Sequence, residues 1–499
     1  MSVATTQPSP ASGTAGPANP ADASTPRAAT ASPGFQRILN APILPTLLSL
    51  SAPNVLSMVM FVLVGIAETY YIGRLGTTPL AAMALVFPFA MLTGMMSAGA
   101  MGGGVSSAVS RALGASDPGR ANTLAMHATA IATVAGIVYT AVFLLFGPAL
   151  YRLLGGKGAV LDAAVGYSNV LFLGALLVWL SNTLAAVLRG TGDMRVPMIG
   201  LVATSVLQIL LGGVLGLGAG PVPSLGMAGV AIGHIVATGI GVVFFLWYLM
   251  SGQGRLTMRL RGVAMQRELF ADILRVGAVA CLSPVQSVVT VLIFTGFVAR
   301  LGVLPLAGYS IGQRLEFLLI PIAFGVGVAS VPMIGMAIGA GNVERARRVA
   351  WIAAGVSAVA LAVISVVVVL APDLWAGLFT ADEAVLEYAR LFLRITGPAY
   401  PLFGVGLTLY FSSQGAGKVL GPVLAGTARL AIVAGVGVFV AGPDATARDC
   451  FLLVAAAMSG YGLLTMLAVK VTPWGPHRAS GSEAGAREPE RVASAGSPR

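Results

Sequence analysis

The chain has 499 residues, 57% of them hydrophobic and 9% charged, with a mean hydropathy of +0.89. A soluble domain carries about 25% charged residues, so the composition excludes an ordinary globular protein and fits one that crosses a membrane many times. The net charge of +11 would point to nucleic acid in a soluble chain, but here the cations sit at the edges of apolar stretches, and nucleic acid is excluded as a partner.

In chain order, residues 1–42 are rich in Pro, Ala, Ser and Thr and hold no apolar core, which predicts a disordered cytoplasmic tail and not a cleaved signal. Twelve apolar stretches of membrane-spanning length follow, at roughly 43–72, 79–107, 122–147, 163–188, 195–219, 225–250, 273–298, 305–334, 349–371, 388–413, 419–441 and 449–471. The first six make an N-terminal lobe, 43–250, and the last six a C-terminal lobe, 273–471. A basic cytoplasmic linker, 251–272, joins them, and 472–499 reads as a second disordered tail.

With the N-terminus in the cytoplasm, the cytoplasmic connections hold fourteen cations: Arg111, Arg120, Arg189, Arg195, Arg255, Arg259, Arg261, Arg267, Arg275, Arg345, Arg347, Arg348, Lys418 and Lys470. The other side holds seven, namely Arg74, Arg152, Lys157, Arg300, Arg390, Arg394 and Arg448. This bias predicts a multi-pass protein of the plasma (inner) membrane with both termini cytoplasmic. Cys281 and Cys450 fall in apolar stretches and read as small packing residues.

The chain repeats itself. GRLGTTPLAAMAL (73–85) aligns with ARLGVLPLAGYSI (299–311) at an offset of 226, and RALGASDPGRANTLA (111–125) with MAIGAGNVERARRVA (336–350) at 225. LRGTGDMRVP (188–197) aligns with SQGAGKVLGP (413–422), again at 225. A six-span repeat enters the membrane from the same side twice. The fold class predicted is therefore an all-α polytopic membrane protein: twelve transmembrane helices in two lobes related by a pseudo-two-fold along the membrane normal.

The stretches ETYYIGRLGTTPLAAM, RALGASDPGRA with its twin AIGAGNVERARR, LRGTGDMRVPM and SLGMAGVAIGHIVATG resemble those of the multidrug and toxic compound extrusion (MATE) family, over essentially all of 43–471. The resemblance, to NorM-like and DinF-like members, implies a secondary antiporter. It would export organic cations, drugs or metabolites in exchange for H⁺ or Na⁺ by alternating access between the lobes. A flippase, or a dedicated exporter of a lipid-linked or secondary metabolite such as a siderophore, is the alternative.

Ionisable groups inside a membrane cost roughly 2.5–3.5 kcal/mol each on insertion scales, so they mark function. Glu68 and Glu316 are the acids well inside spans, accompanied by Arg314, Arg429 and His234. Glu68 lies near the outer end of the first span and could take a proton or hold Na⁺. By resemblance its position is that of a coupling Asp, here one methylene longer. DinF-like members carry Asn-x-x-x-Asp in the fifth span, where this chain has Gln208 and Gly212; NorM-like members carry acids in spans seven and ten, which are absent here.

The predicted cation-coupling set is therefore Glu68, Gln208 and Asn182. Asn182 either joins that cluster or makes a packing hydrogen bond. His234 is either a proton relay or a neutral histidine bonded to a backbone carbonyl. The predicted substrate cavity has Glu316, Gln313, Arg314 and Gln286 on its walls, with Arg429 as an alternative partner for Glu316. No phosphate-binding GxxxxGK[ST], CxxC, HExxH or DDxxD pattern occurs. The chain thus reads as no enzyme, without metal or cofactor beyond the coupling ion, and as a monomer working on a small molecule among membrane lipids.

Overall fold

The computed structural model describes residues 38–219, 221–258, 264–440, 442 and 445–475. Most of both tails, and the linker cations Arg259 and Arg261, lie outside the described residues. The rest is helical without a named strand. In the N-terminal lobe, α1 (Ile43–Arg74) is followed by α2 (Thr77–Gly94), which runs through a π-helical turn at Met95–Met101 into α3 (Gly102–Gly114). Next come α4 (Pro118–Leu153), α5 (Gly158–Leu173), α6 (Ala175–Gly190), α7 (Arg195–Leu217) and α8 (Gly226–Met250).

The C-terminal lobe repeats the plan. It contains α9 (Arg267–Ala280), α10 (Leu282–Arg300), α11 (Val303–Gly339), α12 (Val343–Leu370) and the short α13 (Asp373–Ala376). It ends with α14 (Glu383–Thr396), α15 (Tyr400–Gly415), α16 (Leu420–Val440) and α17 (Ala447–Val471).

Among the described residues, ten single helical runs are long and apolar enough to span a bilayer, and α5 with α6, bent by 43° at Gly174, supplies an eleventh. The remaining predicted stretch, 388–413, is the run of α14 and α15. Gly397 and Pro398 break it into a 3-10 turn, since proline supplies no N–H and clashes with the preceding turn.

The repeated motifs are structural devices. Gly76 and Gly302, both with φ in the left-handed region, precede α2 and α11 and turn the chain where a side chain would be strained. Asp117 and Asn342 cap α4 and α12 by accepting from the backbone N–H of Arg120 and Arg345.

The same motifs join the lobes. A Cβ on Gly114 would overlap the Met336 carbonyl, and one on Gly339 the Arg111 carbonyl. The two contacts exchange under the offset of 225 (111 to 336, 114 to 339), so the pseudo-two-fold passes between α3 and α11. Without a hydrophobic force in lipid, helices associate through such close approach.

Around this contact, Ser107 Oγ donates to the Gln414 carbonyl at 2.5 Å. Arg111 and Arg120 both reach Asp272, at 2.7 Å and 3.0 Å. These groups seal the arginine-rich end of the molecule.

Both tail boundaries move. Ile38 is buried and packs with Met333 and Met336, while Arg345 Nη2 donates to the carbonyls of Ile38 and Ala41. Trp474 is buried under the Arg347 guanidinium, 5.7 Å from its ring centroid. These ends are apolar side chains clamped by arginine, so 38–42 and 472–475 belong to the folded body. The linker is also partly docked: Leu256 and Met258 are buried, and the Gln266 amide donates to His127 Nε2 at 2.8 Å.

Gly339→Val should destabilise the protein by about 1–3 kcal/mol through overpacking, read as a lower midpoint of thermal unfolding in detergent. Gly355→Val, at a position where a Cβ meets nothing within 4 Å, should leave that midpoint unchanged.

Candidate functional site

Glu68 sits on α1, two turns from the end away from the arginine-rich seal. Its position is set by contact between α7 and α8. Gly233 lies so close to Gly212 that a Cβ there would stand 2.6 Å from the Gly212 nitrogen, and Gly229 is pressed against the Leu215 carbonyl in the same way. This backbone contact carries Gln208, one turn before Gly212, and His234, beside Gly233, toward α1.

There Gln208 Nε2 donates to Glu68 Oε1 at 2.8 Å and also meets His234 Nδ1 at 2.5 Å. His234 Nδ1 is 4.0 Å from Glu68 Oε1. An amide nitrogen has two hydrogens and no acceptor. One amide therefore bridges a carboxylate and an imidazole, and Nδ1 is the accepting nitrogen of the ring. Turning the amide over would set its carbonyl against an ionised carboxylate, so the orientation with the nitrogen toward Oε1 is the one that goes with an ionised Glu68.

The cluster is largely sheltered. Gln208 is 7% exposed, while the Glu68 and His234 side chains are 17% and 23% exposed. Tyr167 on α5 is buried within electrostatic reach of Glu68, and the Tyr71 ring lies against Gly212 and Gly213.

The structure separates Asn182 from this group. Its Nδ2 donates to Ser97 Oγ at 2.8 Å, and Ser97 in turn donates to the Thr93 carbonyl. Asn182 is thus spent on the π-helical turn after α2, where the wider turn leaves backbone acceptors to be matched. It is a packing hydrogen bond, and its inclusion in the coupling set is corrected. His234 takes its place, bonded to Gln208 and not to a backbone carbonyl. The signal available in the sequence was the Gly-His pair one helix on from Gln208.

In the C-terminal lobe, Glu316 on α11 and Arg429 on α16 influence one another electrostatically without closing to a salt bridge. Glu316 Oε1 and Arg429 Nε are buried and have no hydrogen-bond partner among the described residues. The Arg429 guanidinium lies 5.8 Å from the ring centroids of both Phe403 and Tyr461. Gln313 donates to the Tyr309 hydroxyl at 3.2 Å on the same helix as Glu316.

Gln286 on α10 donates to Thr427 Oγ1 at 2.7 Å, two residues before Arg429, and its carbonyl is left without a partner. Glu316 and Gln313, three residues apart, share one face of α11, and Gln286 meets α16 at Thr427. Arg314 does not join them. It is exposed, with its guanidinium 5.2 Å from the Phe379 ring centroid. Two residues along a helix is about 200° of rotation, so a side chain two positions before Glu316 leaves on the opposite face.

Two six-helix lobes around a pseudo-two-fold, each with an intramembrane carboxylate and neither with a catalytic constellation, define a membrane transporter. The MatE family profile matches residues 53–214 and 280–439, one stretch in each lobe, and the chain belongs to that family, whose members are transporters and not enzymes.

The chain is 28% identical over 389 residues to the multidrug export protein MepA of Staphylococcus saprophyticus, covering 77% of this chain and 85% of that one. It is 26% identical over 391 residues to the protein of that name in Staphylococcus aureus, with the same coverage. Among solved structures it resembles the outward-facing conformation of a multidrug resistance MATE family transporter of the MOP superfamily. The TM-score is 0.80 at 23% identity, over 88% of this chain and 97% of the other. A MATE structure in a straight conformation matches equally, with a TM-score of 0.80 at 24% identity over 88% and 98%. These two likenesses establish the fold.

A double-mutant cycle separates the two amides. Glu68→Ala with Gln208→Ala should be non-additive by about 1 kcal/mol, the net contribution of one hydrogen bond. Glu68→Ala with Asn182→Ala should add within about 0.5 kcal/mol. Both are read as shifts in apparent melting temperature in detergent.

Proposed function

We propose that this chain is a proton-coupled secondary antiporter that exports amphiphilic organic compounds, cationic ones among them, from the cytoplasm across the plasma membrane. The observation that carries the reading is the Glu68–Gln208–His234 cluster: a carboxylate in a span, largely sheltered and held by a neutral amide and an imidazole. The relatives named multidrug export proteins supply the substrate class, which comes to this chain as part of the proposal.

The donor set favours H⁺ over Na⁺ as coupling ion. A hard cation takes several oxygen ligands. Gln208 turns an N–H and not its carbonyl toward Glu68, and His234 offers nitrogen, so among these three side chains only the carboxylate presents oxygen. A proton needs only one such oxygen. Proton binding at Glu68 changes what Gln208 can donate to, and through the shared amide it reaches α1, α7 and α8 together.

Alternating access follows the seal at the arginine-rich end, taken as cytoplasmic. Its contacts are few and polar: Asp272 with two arginines, Ser107 with the Gln414 carbonyl, and the glycine pair at Gly114 and Gly339. They support a state closed to the cytoplasm, which loses those contacts as the lobes rock inward. Glu316, Gln313 and Gln286 then line the substrate side of the C-terminal lobe. The protein works as a monomer, with both termini cytoplasmic and lipid on its outer faces.

In proteoliposomes with an imposed pH gradient, Glu68→Gln should lower gradient-driven export of a fluorescent organic cation by about tenfold or more, with the protein still folded. Equal transport by variant and wild type removes Glu68 from coupling, and a response to an imposed Na⁺ gradient alone replaces H⁺ by Na⁺. Asp272→Asn should open the cytoplasmic seal. It should raise the modification rate of a cysteine placed at Ser107, in a background lacking Cys281 and Cys450, by roughly threefold or more.

A further inference from the structure

Arg429 is an expensive residue. It lies midway along α16 with its Nε buried and unpartnered, and a guanidinium at that depth must be compensated. Its compensation comes from Glu316 across the lobe and from the faces of Phe403 and Tyr461, both 5.8 Å away. Glu316 lies within electrostatic reach of Arg429 and is unsaturated in hydrogen bonds, since its buried Oε1 has no partner among the described residues.

A pair kept only for rigidity would close to a bidentate bridge, the strong geometry open to arginine and a carboxylate. This one does not close. A carboxylate on one wall and two aromatic faces on another is also the arrangement that recognises organic cations.

We propose that the C-terminal lobe contains a cation site that Arg429 occupies as a tethered ligand. Glu316 is its anion, Tyr309, Phe403 and Tyr461 are its walls, and monovalent planar nitrogen cations of the guanidinium type are its ligand class. The arginine keeps the C-terminal acid charge-balanced in the resting protein without any ion from solution. The N-terminal acid, faced by the neutral Gln208, has to take its cation from outside. At an offset of 225 the counterpart of Arg429 is Thr204, so the tethered cation belongs to one lobe alone.

The test is chemical rescue. Purified Arg429→Ala is titrated with methylguanidinium chloride in the low millimolar range, at ionic strength held constant with sodium chloride, and apparent melting temperature is followed. The expected result is a saturable rise in Arg429→Ala, with half-saturation about tenfold lower than in the double variant Arg429→Ala/Glu316→Gln, and no saturable rise in wild type. A flat titration of Arg429→Ala, or an equal response of the double variant, overturns the proposal.

Where Arg429→Ala is not recovered folded, extraction with methylguanidinium present is the same experiment, and failure to recover the protein counts against the site. The readout is binding in detergent, so its outcome is separate from that of the Glu68 transport assay.

Discussion

One amide holds the N-terminal lobe's chemistry together. Gln208 spends both of its N–H bonds inside the membrane, one on the Glu68 carboxylate and one on the His234 ring. Each partner needs it: a carboxylate at this depth has lost its water, and an imidazole nitrogen without a donor is a buried orphan. The amide can be there only because α7 and α8 meet backbone to backbone at Gly212, Gly216, Gly229 and Gly233. The glycines that look like a gap in an acidic motif are what deliver the two polar side chains to α1.

The two lobes answer the same electrostatic problem differently. Duplication preserved the backbone, since left-handed glycines recur at an offset of 226 and the caps and the contact at the axis at 225. It did not preserve the charges. Glu68 corresponds to Phe294, which is buried in the C-terminal core; Gln208 corresponds to Val433, and Glu316 to Ala90. One acid is faced by neutral hydrogen-bonding groups and the other by an arginine under two aromatic rings. A symmetric scaffold with asymmetric charges can respond to an ion in one lobe and to a different cation in the other, and this lets two ligands be handled in alternation.

Much of this was legible before the structure. Periodic apolar stretches and the repeat placed the crossings, because a bilayer demands long apolar helices and a duplication repeats its turns. Glu68 with Gln208 was legible too, since a lone acid and an amide at the family's spacing had to be reconciled. Asn182 was misplaced because helix phase alone does not reveal a π-helical turn, which rotates Ser97 into its path. His234 was ambiguous because the sequence does not say which wall of α8 touches α7. Arg314 was assigned to the same cavity as Glu316, although two residues apart on a helix means opposite faces. The tail boundaries were drawn at a change of composition, while Ile38 and Trp474 are held by arginines more than a hundred residues away, a pairing that no local pattern shows.

The seal at the arginine-rich end must be weak enough to break in every cycle and specific enough to reform. Its composition meets both demands. Close glycine contact contributes shape without burying large side chains, so parting the lobes there exposes little that water or lipid would refuse. Asp272 bonds Arg111, which is largely sheltered, and Arg120, which is half-exposed, and an exposed ion pair such as the second contributes only about 0–1 kcal/mol because water replaces it readily. The Ser107 hydroxyl has a second acceptor in the Gly415 carbonyl, so sliding by one residue keeps it paired. An opposite end held by large interlocked aromatic side chains would cost far more to open. In the proposed cycle, small residues at the axis would keep the cost of parting the lobes within reach of an ion binding at Glu68, where a few kcal/mol suffices to invert a population.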